Sequence, residues 1–443
     1  MLYDYLFKNY RKEIRPINYS NPAPTNVTVQ LFVKQIQKVE EGDQILILYC
    51  WLEMYWVDEH LKWDDEAFNG TKEIVVPASN IWKPDLLVYN NANMNVKENE
   101  LETNAVIQNN GRVSVYRAIV TQITCELKME NFPFDQQICF IMLSSWSYDG
   151  SGIMLDTLVP VAIDNSQTEL KAVSVLTHYM PSAEWYLFDF KIQRNLKYYE
   201  CCPAPYVDIT YYFAIRRNPI YYLFTQLIPS TFICIVTIIG SFTPHSSTGE
   251  NQEKITLGVT ALLSLAIILM MVADKLPATS NDLPLLGKFY VGLIFIMFAA
   301  TCCTTISLDI QLRGNANEPV PIWLRGLIRQ SFILRMFFKG LSRKPKEYAP
   351  PNPLYDTSPI YHKILMAVNE IRLAARQAIE SIDSETRTKD RRREWGLIAR
   401  GLDRCFMLIF ICFTIVYTVY LFNGKTADTL RITDEYMNLT ANR

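Results

Sequence analysis

Histidine is scarce in this sequence of 443 residues. It occurs only four times, as His60, His178, His245 and His362, and no two of these lie close together in the chain. No spacing typical of a metal site or of an activated nucleophile accompanies them. We therefore expect no metal and no cofactor, and an enzyme is the function class that the sequence supports least.

The sequence also lacks an excess of positive charge. Lys and Arg number 43 against 45 Asp and Glu, which gives a formal net charge of −2. Nucleic-acid-binding domains carry a clear basic excess, so no nucleic-acid partner is expected. A disordered chain is excluded too, because 49% of the residues are hydrophobic and 12% are aromatic.

Asp, Glu, Lys and Arg are missing from four long stretches, and this absence indicates the class. The stretches are Asn218–Gly249, Ile255–Ala273, Phe289–Leu308 and Cys405–Gly424. About 20 apolar residues in a helix cross a hydrocarbon layer of about 30 Å. A soluble protein would tolerate one such buried helix but hardly four. The sequence therefore predicts a multi-pass protein that contacts membrane lipids.

Charge and glycosylation signals predict the topology. Basic residues crowd both ends of the loop between the third and fourth spans, which favours a cytoplasmic loop and extracellular N- and C-termini. Acceptor triplets at Asn18, Asn26 and Asn69, with another at Asn438, fit an external first half.

The outer half shows the pattern of a β-sandwich. Alternating apolar and polar residues in Thr28–Val33, Ile45–Trp56, Arg112–Thr121 and Ile209–Ile215 are separated by turn residues. A short amphipathic helix near Leu2–Lys12 precedes them. We expect an outer domain at 1–217, three membrane helices at 218–308, a cytoplasmic loop at 309–404, a fourth helix at 405–424 and an outer tail at 425–443.

Two helices are predicted inside the cytoplasmic loop. Pro321–Leu341 combines aromatic and basic residues, as in a helix that lies on the inner membrane surface. Helical spacing without Gly or Pro from His362 to Trp395 predicts one long helix that continues into the fourth span. The Pro-rich stretch Lys344–Pro359 before it is the expected linker.

The second span has the pattern of a pore wall. Seven residues with alternating spacings of three and four share one helix face: Glu253, Thr256, Thr260, Leu263, Ile267, Met270 and Asp274. Repeated around an axis, they would form two acidic rings, a hydroxyl-lined section and an apolar constriction, which suits a cation pore. The alternative is a packed helix whose Thr hydroxyls bond to its own backbone. Lys254, next to Glu253, adds a positive charge near the inner acidic ring, but adjacent residues of a helix point about 100° apart.

Two cysteine pairs stand out among ten cysteines. Cys125 and Cys139 enclose a loop short enough for a natural extracellular disulfide, worth roughly 3 kcal/mol. The adjacent Cys201 and Cys202 would form a vicinal disulfide at a loop tip. The other six are expected to be free packing residues.

Several motifs together resemble the Cys-loop receptors. They are the paired cysteines around FPFD at 132–135, WKPDLLVYN at 82–90, SWSYDG at 145–150, YYECCPAPY at 198–206 and the long pore segment at 249–290. Within this family of pentameric ligand-gated ion channels, the chain is similar to nicotinic acetylcholine receptor subunits of the alpha type. Details suggest an invertebrate, nematode-like branch that includes betaine-gated members. The likeness covers nearly the whole chain.

The resemblance implies an agonist site between adjacent subunits of a pentamer. On the principal face it implies Tyr89, Trp146, Tyr199, Cys201, Cys202 and Tyr206. On the complementary face it implies Trp51, Val106, Ser114 and Tyr116. The residue types fit a quaternary ammonium agonist, which has no N–H to donate and is bound by π faces. For any one of these aromatics, ordinary core packing is the alternative.

The resemblance also implies a zone that couples binding to gating. Its residues would be Glu41, Phe132, Pro133, Phe134, Asp135, Arg217 and Pro284. Simple interface packing is the alternative role. Two departures from the family pattern are Met142, where relatives often have a Lys that contacts Tyr199 and Asp208, and Lys275 beside Asp274, which leaves calcium permeation open.

These features together predict a neurotransmitter-gated cation channel in the postsynaptic plasma membrane. It would conduct sodium and potassium when acetylcholine, choline or betaine binds, as a homo- or hetero-pentamer. The alternatives are an anion-selective channel of the glycine type, against which Glu253 argues, and a membrane-anchored protein that binds ligand without conducting.

Overall fold

The computed structural model describes residues 1–17, 23–93, 103–158, 178–200, 202–243, 252–276, 283–316, 318–321, 362–423 and 431–441. They divide into two compact units. The first contains Met1–Tyr222, Met271–Gly287 and Gly424–Arg443. The second contains Leu223–Met270 and Lys288–Asn423.

The first unit begins with a short helix, α1 (Leu2–Phe7), which ends earlier than the predicted Leu2–Lys12 helix. Ten strands follow: β1 (Thr25–Glu40), β2 (Ile45–Val57), β3 (Glu73–Pro77), β4 (Leu86–Val88), β5 (Asn104–Gln108), β6 (Arg112–Thr124), β7 (Gln136–Ser145), β8 (Ile153–Thr157), β9 (Trp185–Lys197) and β10 (Tyr206–Arg217). Short 3-10 helices lie at Glu59–Leu61, Glu66–Phe68 and Ala78–Asn80. All four predicted strand segments lie within β1, β2, β6 and β10.

The strands form two sheets, with orders β3-β5-β6-β2-β1-β8 and β4-β7-β10-β9. Alternation directs one face of each strand inward: in β2, Leu48, Cys50, Leu52 and Met54 are buried while the residues between them are less so. The β-sandwich prediction is thereby confirmed.

A glycine fixes the register of β5 and β6. Gly111 lies in the turn between them with a φ of +83°, and a Cβ there would lie 2.6 Å from the carbonyl oxygen of Asp58. Since only glycine fits both the backbone angle and the space, the turn is specified by sequence. It sets Val106 opposite Ser114.

The chain has four helices long and apolar enough to cross a membrane among the residues that the structure describes, as predicted. They are α2 (Ile220–Phe242), which includes a π-helical turn at Leu223–Leu227, α3 (Gln252–Ala273), α4 (Leu285–Asn315) and α5 (His362–Phe422). Helix α5 has 61 residues, so the predicted continuous helix into the fourth span is confirmed.

A last helix, α6 (Asp434–Ala441), belongs to the first unit and was not predicted. The hydroxyl of Tyr212 on β10 donates to the carbonyl oxygen of Met437 at 3.2 Å. Tyr436 also contacts the Tyr212 ring, with centroids 6.4 Å apart. The surface helix predicted at Pro321–Leu341, apart from its first residue, the linker predicted at Lys344–Pro359 and the acceptor Asn18 lie outside the described residues.

Candidate functional site

Strand pairing brings the first two predicted site aromatics together. Tyr89 follows β4 and Trp146 follows β7, and these two strands are hydrogen-bonded neighbours. The backbone N–H of Tyr89 donates to the carbonyl of Met142 at 2.9 Å, and its hydroxyl donates to that of Ser145 at 2.9 Å. The Tyr89 and Trp146 ring centroids are then 5.6 Å apart. Burial, the largest cause, raises the pKa of Tyr89, so the phenol remains a hydrogen-bond donor.

The other two aromatics come from the β9–β10 hairpin. Tyr199 follows the end of β9 and Tyr206 begins β10, and their ring centroids lie 5.6 Å apart in an edge-to-face arrangement. All four rings line one cavity of about 280 Å³, together with Met142, Ser144, Lys197 and Asp208. Trp146 is 66% exposed and Tyr199 is 50% exposed. Core packing therefore does not explain these rings.

The cavity also has a polar side that the aromatic pattern did not predict. Asp208 is 4% exposed, and its Oδ1 accepts hydrogen bonds from Asn195 and Thr210, each at 2.8 Å. Its Oδ2 has no hydrogen-bond partner among the described residues. Lys197, opposite Tyr206 in the register, reaches the Met142 sulfur at 4.0 Å. The place of the expected Lys is thus taken by Met142, while a lysine from another strand lines the same cavity.

The predicted complementary residues share one face of the larger sheet. Tyr116 pairs with Glu53, and Val106 pairs with Ser114, two residues before Tyr116 on β6. Trp51 lies two residues before Glu53 on β2, so alternation directs it to the same face. Trp51 is 38% exposed, and its Nε1 donates to the hydroxyl of Tyr49 at 3.0 Å. Ser114 is buried, whereas Tyr116 is exposed.

The disulfide predicted from the short loop is confirmed. Cys125 and Cys139 are bonded with an S–S distance of 2.00 Å. Cys202 is also disulfide-bonded, but Cys201 lies outside the described residues, so their pairing stays a prediction. The remaining cysteines are free, as predicted: Cys50, Cys234, Cys302, Cys303, Cys405 and Cys412.

The predicted partners of Arg217 surround it within the first unit. Arg217 is 1% exposed; its Nη1 lies 2.6 Å from Oε1 of Glu41 and its Nε lies 2.8 Å from Oδ1 of Asp135. The sequence did not indicate two further partners, Glu184 at 3.3 Å and the Trp185 ring, whose centroid is 4.2 Å from the guanidinium carbon. Burial alone lowers the pKa of Arg217, but Asp135 and Glu41 outweigh it and raise that pKa.

The rest of the predicted coupling zone lies beside this cluster. Phe132 is buried, and its ring centroid is 4.8 Å from the Arg217 guanidinium. Its carbonyl accepts a hydrogen bond from the backbone N–H of Leu286 at 3.2 Å, two residues after the buried Pro284. Pro133 and Phe134 belong to the same turn, in which the N–H of Phe134 donates to the carbonyl of Asn131 at 2.7 Å.

Helix α3 has a clearly exposed face and a buried face, and the exposed face continues to Asp274 just after the last residue of the helix. All seven residues of the predicted pore stripe are exposed, including Leu263 at 62% and Ile267 at 47%. The buried positions lie on the opposite side: Lys254, Gly258, Ala261, Leu265 and Val272. Lys254 interacts there with the carboxylate of Asp403, so it does not share the face of Glu253. Thr260 does bond to its own backbone, donating to the carbonyl of Leu257 at 2.9 Å.

Predicted acceptor asparagines within the described part of the outer domain lie at the surface. Asn26 on β1 and Asn69 are both exposed. Asn69 has a left-handed backbone with a φ of 56°, which asparagine tolerates well.

Comparison with known proteins agrees with this arrangement. The family described as the neurotransmitter-gated ion-channel ligand binding domain matches residues 1–219, and the neurotransmitter-gated ion-channel transmembrane region matches residues 226–352. Acetylcholine receptor subunit alpha-1-A of Xenopus laevis is 30% identical over 440 residues, which cover 96% of this chain and 92% of that protein.

Two further relatives show the same relationship. Acetylcholine receptor subunit alpha of Danio rerio is 29% identical over 96% of this chain and 92% of its own length. Neuronal acetylcholine receptor subunit alpha-9-II of Oncorhynchus mykiss is 32% identical over 75% of this chain and 57% of its own length. The chain therefore belongs to the neurotransmitter-gated ion-channel family, whose members are membrane-spanning receptors and not enzymes, and within that family it is similar to acetylcholine receptor alpha subunits.

Proposed function

We propose that this chain forms a cation channel opened by a quaternary ammonium agonist, such as acetylcholine, choline or betaine. The observation that carries the proposal is the cavity lined by Tyr89, Trp146, Tyr199 and Tyr206. An onium group is attracted to the electron-rich faces of such rings. Each cation–π contact contributes about 0.5–2 kcal/mol of binding free energy, or more where water is excluded. In a pentamer, the face with Trp51 and Tyr116 on the adjacent subunit would complete the site.

Gating would begin with closure of the loop that carries Cys201 and Cys202. Arg217 ends β10 and only two residues separate it from α2, so a change in the hairpin has a short covalent route to the first membrane helix. Its buried ion pairs with Glu41 and Asp135 make that junction stiff, which supports a coupling role for the cluster. Leu263 and Ile267 would form the closed-state constriction.

Cation selectivity is supported by the two acidic ends of the α3 stripe, Glu253 and Asp274. Because Lys254 lies on the buried face, it does not oppose Glu253 at the inner end. Lys275 is exposed beside Asp274 and weakens the outer ring, so sodium and potassium are the expected permeant ions.

A single type of chain carries both candidate faces, so a homopentamer is feasible. The packing of α6 against β10 supports a C-terminal tail on the side of the outer domain. We propose a postsynaptic plasma-membrane receptor with both termini outside the cell.

The test is to express this chain alone in oocytes and apply acetylcholine, choline and betaine (trimethylglycine). Tyr199→Ala should weaken activation by each active agonist by about tenfold or more, since one cation–π contact is lost. Tyr198→Ala is the matched control, because Tyr198 is 73% exposed on the neighbouring position and does not line the cavity. Equal effects of the two substitutions would contradict the aromatic site.

Ion selectivity and the position of the closed-state constriction are tested by separate measurements. The reversal potential should shift when external sodium is replaced by a large cation. A shift on replacement of chloride instead would favour the anion-channel alternative. Leu263→Thr should give leaky or agonist-hypersensitive channels, whereas Leu262→Thr, about 100° around the helix, should not. A wild-type dose–response curve in Leu263→Thr would exclude this constriction.

A further inference from the structure

Trp51 already has a cation on its ring. The ammonium nitrogen of Lys34 lies 3.6 Å from the centroid of the Trp51 ring. Lys34 is only 9% exposed, yet within the described ranges no hydrogen bond or ion pair joins its ammonium to a carboxylate. A buried ammonium without a carboxylate partner is costly, and the ring compensates for only part of that cost.

Strand alternation places Lys34 on this face, because Phe32 pairs with Trp51 and Lys34 is two residues further along β1. On β1, Val33 pairs with Cys50 and Gln35 pairs with Tyr49, so Lys34 is the extra residue without a partner across the ladder. The backbone N–H of Met180 donates to the Lys34 carbonyl at 2.7 Å and holds the bulge. The inserted residue keeps Ile36 in the core after the bulge, as Val33 is before it, and leaves Lys34 without a partner across the ladder.

We infer that Lys34 is a specificity-determining residue, which makes the receptor prefer agonists that carry an anionic group, such as a carboxylate, in addition to the onium. This inference rests on the proposed function. The principal-side rings would hold the onium, and the complementary side would present a fixed positive charge at Trp51.

The positive charge of Lys34 favours a zwitterionic agonist over a purely cationic one in two ways. An agonist that is only a cation meets electrostatic repulsion and a ring face already in use. A zwitterion brings a carboxylate that pairs with the ammonium, which lacks a carboxylate partner in the described part of the chain. A charge-assisted bond of this kind is among the strongest polar contacts, particularly where water is excluded.

Choline and trimethylglycine are a matched pair of probes, since both carry a trimethylammonium group and only the second carries a carboxylate. In Lys34→Met, the potency of trimethylglycine should fall by about 10- to 100-fold, the size of a lost hydrogen bond to a charged group. The potency of choline should stay the same or rise. Lys34→Arg should keep the wild-type ratio.

Lys38→Met is the control for the substitution itself, because Lys38 lies on the same strand, is exposed and pairs with Glu40 at 2.7 Å. It should leave both potencies unchanged. Calorimetric binding of both probes to the purified receptor provides a readout that does not depend on gating.

The two failures are distinguishable. If choline or acetylcholine binds but Lys34→Met changes both probes equally or neither, the inference about Lys34 is wrong and the proposed function stands. If no quaternary ammonium compound binds the wild-type receptor, the proposed function is wrong and the inference falls with it.

Discussion

Arg217 and Lys34 are both buried cations of the outer domain, but their surroundings are opposite. Arg217 has carboxylates of Glu41, Asp135 and Glu184 within 2.6 to 3.3 Å of its guanidinium. Lys34 rests on one indole ring, and no carboxylate pairs with it among the described residues. Burial of a cation therefore does not by itself indicate its role. A buried cation paired with carboxylates of its own chain stabilises the fold, whereas a buried cation without a carboxylate partner can still pair with a ligand.

The largest expected effect comes from reversing the charge of Arg217, which is paired with carboxylates on several sides. Arg217→Glu would place a fourth carboxylate beside those of Asp135, Glu41 and Glu184, and breaking a buried pair of this kind costs about 3–5 kcal/mol. Agonist currents should disappear while subunits still reach the cell surface, as measured by surface labelling with recordings from the same cells. Arg216→Glu is the control, because the side chain of Arg216 is exposed. Normal currents in Arg217→Glu would exclude the coupling role.

The partners of Arg217 should differ in importance according to their burial. Asp135 is fully buried, whereas the side chain of Glu184 is 50% exposed. Asp135→Asn should therefore destabilise the receptor by about 1–3 kcal/mol, and Glu184→Gln by less than about 0.5 kcal/mol. Thermal unfolding of the detergent-solubilised receptor measures both. Equal shifts would show that burial does not rank these pairs.

Much of the Arg217 cluster could be predicted from sequence. The period-two alternation in Ile45–Trp56 identified β2, and the family motifs indicated Glu41, Asp135 and Arg217 as neighbours. The contact with Glu184 was not predictable, because it depends on how the residues before β9 approach the end of β10.

Lys34 was missed for a different physical reason. Alternation places Lys34 on the face of Phe32 and Trp51, but it does not predict that the ammonium folds onto the indole ring and is buried there. From sequence alone, a lysine in a strand is expected to point to solvent. Lys197 was missed similarly, since only the pairing with Tyr206 shows that it lines the cavity.

A small effect of opposite sign is expected from removing the charge of Lys34, which has no carboxylate partner among the described residues. Lys34→Met loses a cation–π contact of up to about 2 kcal/mol but also removes the several kcal/mol needed to bury an ammonium. The free energy of unfolding should therefore stay the same or increase by about 1 kcal/mol, which raises the melting temperature slightly. The exposed Lys38→Met should change it by less than about 0.5 kcal/mol. A clear loss of stability in Lys34→Met would mean that an anionic group of the receptor itself already satisfies this lysine, and the contrast with Arg217 would then disappear.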